Sequence, residues 1–208
     1  MLVGAVRRTL ATRGTGSVTR VDGVVTRRRR VVRALLPVAL VLLVLWAVTA
    51  VRAVAFPRLD APGTADAVVV LGGDDEVGWE TGWQLVRDGV ADRLVVALPF
   101  DRRWWPDWCD GDSGGLDGVT VTCFDPAPST TRGEAREIRR LARLQGWSSV
   151  VVVTWRAHAA RSRMIVERCF DGDLRMVEDH LPMRWWDWVY EVAYQSGAWV
   201  KAQVLRGC

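Results

Sequence analysis

This 208-residue chain lacks most of the residues that common catalytic machineries need. It has two histidines, His158 and His180, so a metal cage built on imidazoles is excluded by count. No C-x-x-C pair occurs, which removes the usual zinc spacings. G-x-S-x-G, G-x-G-x-x-G and Walker A patterns are all missing, so serine-hydrolase, dinucleotide and P-loop chemistry have no fingerprint. No cofactor and no metal is assigned. No internal repeat is visible. The most informative absence is of charge: between Arg33 and Arg52 the chain reads ALLPVALVLLVLWAVTAV.

At 1.5 Å of rise per residue those 18 residues make a helix of about 27 Å, enough to cross a bilayer's hydrocarbon core. Arg27 to Arg30 and Arg33 precede it, and a basic flank stays on the cytoplasmic side. The chain then divides into an Arg-rich cytoplasmic tail, 1–33, expected to be disordered; a transmembrane helix, 34–52; a linker, 53–64; and an extracytoplasmic domain, 65–208. A single-pass protein of the plasma membrane is expected, with residues 34–52 in lipid. A cleavable signal peptide competes, because Ala53-Val54-Ala55 has the form of a cleavage site. The apolar run exceeds the usual length of about 7–15 residues for a signal core, which favours an uncleaved anchor. Either way the rest is exported.

Charge divides at the same place. Residues 1–33 carry nine Arg and one acid, net +8; residues 53–208 carry 18 basic and 23 acidic side chains, net −5. The basic balance therefore belongs to the tail, where it serves topology and attraction to anionic lipid, and nucleic acid is excluded as a partner. All four cysteines follow the apolar run, as disulfides in an exported domain would. Four cysteines allow three pairings; Cys109–Cys123 would tie off one polar loop and Cys169–Cys208 would pin the C-terminus.

Strand and helix patterns alternate along 65–208. Continuous apolar runs at 66–71, 93–98 and 149–153 read as strands buried on both faces, with further strands at 119–124 and 174–177. Helical spacing covers 79–88, 131–145, 157–169 and 185–205, two of these ending at Gly89 and Gly146. The fold expected is α/β: a Rossmann-like three-layer sandwich with a mostly parallel sheet. Ligands of such sheets bind at the strands' carboxyl ends. That directs attention to Gly72-Gly73-Asp74-Asp75, to 99–103, to Ser129-Thr130-Thr131 and to 154–161.

Leu71-Gly72-Gly73, then Thr131 to Ala135 opening a helix, then Val153-Thr154-x-x-x-His158-x-x-Arg161 resemble the SanA/ElyC/YdcF-like family of bacterial envelope proteins. The resemblance covers roughly 65–177. It implies a Rossmann-like domain, often behind an N-terminal membrane helix, and a role in envelope or peptidoglycan-precursor maintenance; it implies no reaction. The chain departs from the family pattern where Glu134 stands for Asn, where the second strand ends Leu98-Pro99-Phe100 rather than Ser-Gly-Gly, and where a Trp- and Asp-rich loop replaces a helix.

The site residues follow. His158 and Arg161 lie on one face of a helix start, where backbone amides and the positive dipole end suit a phosphate or carboxylate. His158 is the candidate acid or base; the dull alternative pairs Arg161 with an acid on an adjacent helix. Thr131-x-x-Glu134 matches a capping box, with Glu134 otherwise a general base, and Ser129 or Thr130 could cap the same helix. Thr131, Ser129 and Thr154 are the hydroxyl candidates, Gly72 and Gly73 the close-approach turn, and Asp74 a carboxylate beside it. Trp104, Trp105 and Trp108 are expected to wall a substrate or membrane, and the Trp-rich final helix to cover the core. Two functions remain open: a domain that binds or processes a phosphorylated, anionic small-molecule or lipid-linked envelope intermediate, and a non-catalytic scaffold that binds lipid or proteins through Trp-rich faces.

Overall fold

The computed structural model describes the backbone of residues 18–72, 77–98, 102–110 and 118–208, with side chains from Arg33 onward except at 77, 104 and 110. The chain clusters into two units, 1–47 and 48–208. The first helix, α1 (Val18–Ala55), is continuous through the Arg-rich stretch. An irregular tail is expected up to residue 33, yet the backbone is helical from Val18. Arg is a good helix former, and elongating an existing helix costs far less than nucleating one. Within α1, Arg33–Ala55 is long and apolar enough to cross a membrane, with mean hydropathy 2.7 and none of its best window buried.

Residues 48–208 form the α/β unit: β1 (Ala67–Val70), α2 (Val77–Arg87), β2 (Arg93–Ala97), β3 (Thr120–Phe124), α3 (Thr131–Gln145), β4 (Ser149–Thr154), α4 (Arg156–Val166), β5 (Asp173–Glu178) and α5 (Trp185–Val204). The five strands are all parallel, in the order β3-β2-β1-β4-β5. All of β1 and nearly all of β4 are buried, as parallel strands covered on both faces must be. Alternation assigns Ala67 and Val69 to a core with Ile138, Leu141 and Val166, and Val68 and Val70 to a core with Leu85 and Val86. Thus α3 and α4 cover one face and α2 the other, a three-layer sandwich. At Gly82 a Cβ would crowd the Val70 and Leu94 side chains, so glycine there sets how closely α2 lies on the sheet. Helix α3 ends at Gly146, whose φ of 72° is the left-handed cap its N–H to Ala142 requires.

Two expectations change. Residues 53–64 are no free linker: α1 runs to Ala55, and Asp60 is docked beside β5, its backbone N–H on the Met176 carbonyl and its carboxylate ion-paired with Arg163. Arg175 donates to the Pro62 carbonyl at 2.8 Å, holding the next turn. Trp105 and Trp108 are not a ligand wall. Trp108 meets Trp79 and Trp83 edge-on at 5.7 and 5.9 Å on the α2 face, and Trp105 packs in the same core. The Trp104 side chain lies outside the described residues. The final helix does not cover the core as expected: α5 packs on α4 and leaves Trp185 and Trp186 exposed.

Both expected disulfides are present, Cys109–Cys123 and Cys169–Cys208, with Cα separations of 5.4 and 5.2 Å, and no cysteine is free. The first ties the irregular loop to β3; the second ties the C-terminus to the end of α4. They close loops of 14 and 39 residues. Loop-closure entropy then predicts that replacing each pair by serine lowers stability by about 3 and about 4 kcal/mol respectively. Urea midpoints of the two double variants test that order, and alkylation without reductant is expected to leave the native mass unchanged.

Candidate functional site

Strand order creates the site. From β1 the chain moves outward through β2 and β3, and α3 then carries it back across the sheet to β4, on β1's other side. At the carboxyl ends of β1 and β4 the connections leave to opposite faces, which opens a crevice at this switch point. A cavity of about 790 Å³ occupies it, lined by Gly72 after β1, Ser129 to Arg132 and Glu134 at the start of α3, and Trp155, His158 and Arg161 at the start of α4. The far wall is α5, with Tyr194, Gly197 and Lys201.

Thr130, not Thr131, caps α3: its Oγ1 accepts from the Gly133 amide at 3.4 Å. The capping box expected at Thr131 and Glu134 does not form. Thr131 begins the helix one residue later, which frees its hydroxyl for the crevice. Glu134 instead reaches across to the sheet, where the Gly72 amide donates to its Oε1 at 2.6 Å. Gly133 is required beside it, since a Cβ there would collide with the Pro128 carbonyl. At α4 the N-cap is Trp155, which offers no side-chain acceptor to the first-turn amides, so the positive end of that helix is left to the crevice.

The polar groups form one connected set. Thr131 Oγ1 lies 3.2 Å from His158 Nε2 and accepts from Arg161 Nη1 at 3.5 Å. Arg161 Nε donates to Gln195 Oε1 at 2.7 Å, and Gln195 Nε2 donates to Glu191 at 2.9 Å. The partner of Arg161 is therefore an amide on α5, not the carboxylate of the duller expectation, and its charge is not neutralised by a direct ion pair. His158 is buried and stacks obliquely on Trp155 at 4.6 Å. Burial, and then the neighbouring Arg161 charge, hold its imidazole well below the usual range, so it is neutral at pH 7. Its Nδ1 is buried without a hydrogen-bond partner. A nucleophile–base pair such as Thr131–His158 normally has a third group orienting the base, and Nδ1 here has no such partner. The arrangement is better suited to gripping an oxyanion than to activating the threonine.

Glu134 is 4% exposed, and burial drives its carboxyl up to about 7 against the Gly72 amide, the Arg161 charge and the Thr131 hydroxyl. Near neutrality it exchanges a proton readily. The cations Arg132, Arg161, Arg168 and Lys201 line the same cavity against this one acid, so the lining is electropositive whenever Glu134 is protonated.

Of the residues foreseen, the structure brings together Gly72, Ser129, Thr131, Glu134, His158 and Arg161. Thr154 is buried at the end of β4 and does not line the cavity. Gly73 and Asp74 lie outside the described residues. Among the described residues no cluster of three or more His, Cys, Asp or Glu is placed to hold a metal. Sequence reasoning missed Trp155, Arg168 and all of α5. The one signal for α5 was Gln195, a polar residue four after Glu191 on the side of the helix that turns inward.

Fold and site together define an α/β protein with an electropositive crevice at the switch point of a parallel sheet, behind a candidate membrane helix. No protein-family model, curated protein or solved structure matches the chain.

The Glu134 shift has a thermodynamic consequence. Its folded-state pKa lies above the unfolded value, so the folded protein binds the proton more tightly. Stability is full below pH 4.5 and falls as pH rises towards 7, by about 3 kcal/mol in total. Glu134→Gln removes that dependence. Urea midpoints between pH 4.5 and 8 should fall in the parent and stay flatter in the variant.

Proposed function

We propose that this chain is a single-pass plasma-membrane protein whose extracytoplasmic domain binds, or processes, a phosphorylated envelope intermediate from peptidoglycan or lipid-carrier metabolism. Membership of the SanA/ElyC/YdcF-like family is part of the proposal. The observation that carries it is the meeting, in one cavity, of a half-buried Arg161 without a carboxylate partner, an uncapped α4 N-terminus and the Thr131 hydroxyl. Each favours an anion, and Arg161 and the helix end do so by charge. The size of the cavity suits a headgroup larger than phosphate alone.

The chemistry divides among the residues as follows. Arg161, steered by Gln195, grips the phosphate oxygens. Thr131 and the first amides of α4 donate to them, and neutral His158 holds the Thr131 hydroxyl in place. Glu134 takes up a proton as the anion arrives, because a second negative charge beside it disfavours its carboxylate. That uptake lets one acid sit among four cations without repelling the ligand. The Arg-rich flank before residue 34 supports a cytoplasmic N-terminus, and the two disulfides support an oxidising compartment for the domain.

The full chain in detergent is expected to be stabilised by a short isoprenyl phosphate and not by the matching alcohol. At a hundredfold excess over Kd the gain is about 2.7 kcal/mol. Arg161→Gln and His158→Ala should each abolish the shift. Equal melting temperatures with phosphate and alcohol would end the proposal. A periplasm-specific reporter fused after Cys208 should be active; activity of a cytosolic reporter there would reverse the topology.

A further inference from the structure

Helix α5 has its apolar side outward. Trp185, Trp186, Val189, Tyr190, Tyr194 and Val200 are 73%, 47%, 64%, 64%, 51% and 64% exposed. At about 100° per residue these six fall within one half of the helix circumference. The acids of α5, Asp187 and Glu191, fall outside that arc, and its only charged member is Lys201, at the edge. Arg184 lies over the Trp186 ring at 5.3 Å, placing a second cation at the helix start. Tyr190 and Tyr194 stack at 5.9 Å, so the aromatic rows run along the helix rather than folding inward. Soluble surfaces rarely carry such a stripe without a partner.

We propose that this face of α5 lies in the headgroup layer of the bilayer that holds α1. The inference rests on Arg33–Ala55 spanning the membrane and is independent of what fills the cavity. Three observations select the bilayer. Only the 11 residues 56–66 separate the end of α1 from β1, so even fully extended they keep the sheet within about 40 Å of the helix end. Every copy of the domain is therefore tethered within reach of the lipid surface. The composition is also that of an interfacial belt: Trp and Tyr, whose apolar rings carry one polar atom each, with cations at the margin and no carboxylate on the face. Finally, Tyr194 and Lys201 belong both to this face and to the cavity lining. A docked α5 puts the cavity's rim at headgroup level.

The test uses the full chain in nanodiscs loaded with one copy each. Because no native cysteine is free, a cysteine introduced at Val189 or Val200 takes a polarity-sensitive fluorophore alone. Arg143→Cys, exposed on α3, is the control. Emission from positions 189 and 200 should shift to the blue and lose intensity when the disc lipid carries bromine near the headgroup; position 143 should do neither. Adding Val189→Glu to the Val200→Cys chain should reverse the shift at 200, with circular dichroism confirming that the fold is retained. Unquenched, water-like emission at 189 and 200 would overturn the proposal. So would shielding that develops only in discs holding two copies, since the occupant would then be a second chain.

Discussion

Everything distinctive about the site depends on β1 and β4 lying side by side while their connections leave to opposite faces of the sheet. Hydrophobic burial imposes this. Five parallel strands with apolar residues on both faces must be covered twice, so helices are distributed to both sides. Where the distribution changes side the sheet cannot be closed over, and a crevice remains. Glu134 spans it, reaching from α3 to the Gly72 amide just after β1, from a buried position that raises its carboxyl to about 7. A fully ionised group in that place would incur a large desolvation cost; a protonated one bridges the crevice at little cost.

The same arrangement governs Arg161. It emerges from the first turns of α4, buried enough to strengthen its field but held by an amide rather than a carboxylate. Gln195 aims the guanidinium without cancelling it. Gln195 is the one buried residue of α5, and that helix is fixed to the domain by its contacts with α4, by this polar link and by the Cys169–Cys208 bond just beyond it, while Trp185, Trp186, Val189 and Tyr190 face out. A helix attached in this way supports the crevice on one side and presents a surface on the other. The two proposals thus meet on one element: α5 walls the anion site and supplies the face suited to lipid.

Much of this architecture was legible in the chain. The disulfide connectivity is the favoured one of the three that four cysteines allow. The apolar run with its Arg flank, the alternation of strand and helix patterns and the ends of α2 and α3 at glycine follow from local composition and spacing. So did His158, Arg161 and Thr131, because strand ends followed by helix starts place them by rule. The errors had a common cause. Thr131-x-x-Glu134 satisfies a capping box locally, but with the cap at Thr130, the other cap the sequence offers, Glu134 turns to the Gly72 amide 62 residues away. Trp105 and Trp108 sit in a segment with no period, so only the Cys109–Cys123 bond and the neighbouring α2 tryptophans decide which way they face.

By itself the sequence determined the elements, their alternation and the membrane-length helix, since each is set by residues near one another along the chain. Tertiary structure alone decided that Glu134 meets Gly72, that Arg161 meets an amide instead of an acid, and that α5 turns its aromatic residues outward. Those outcomes depend on which elements become neighbours in space. Periodicity shows that a helix has an apolar face, but not whether protein, lipid or water lies against it.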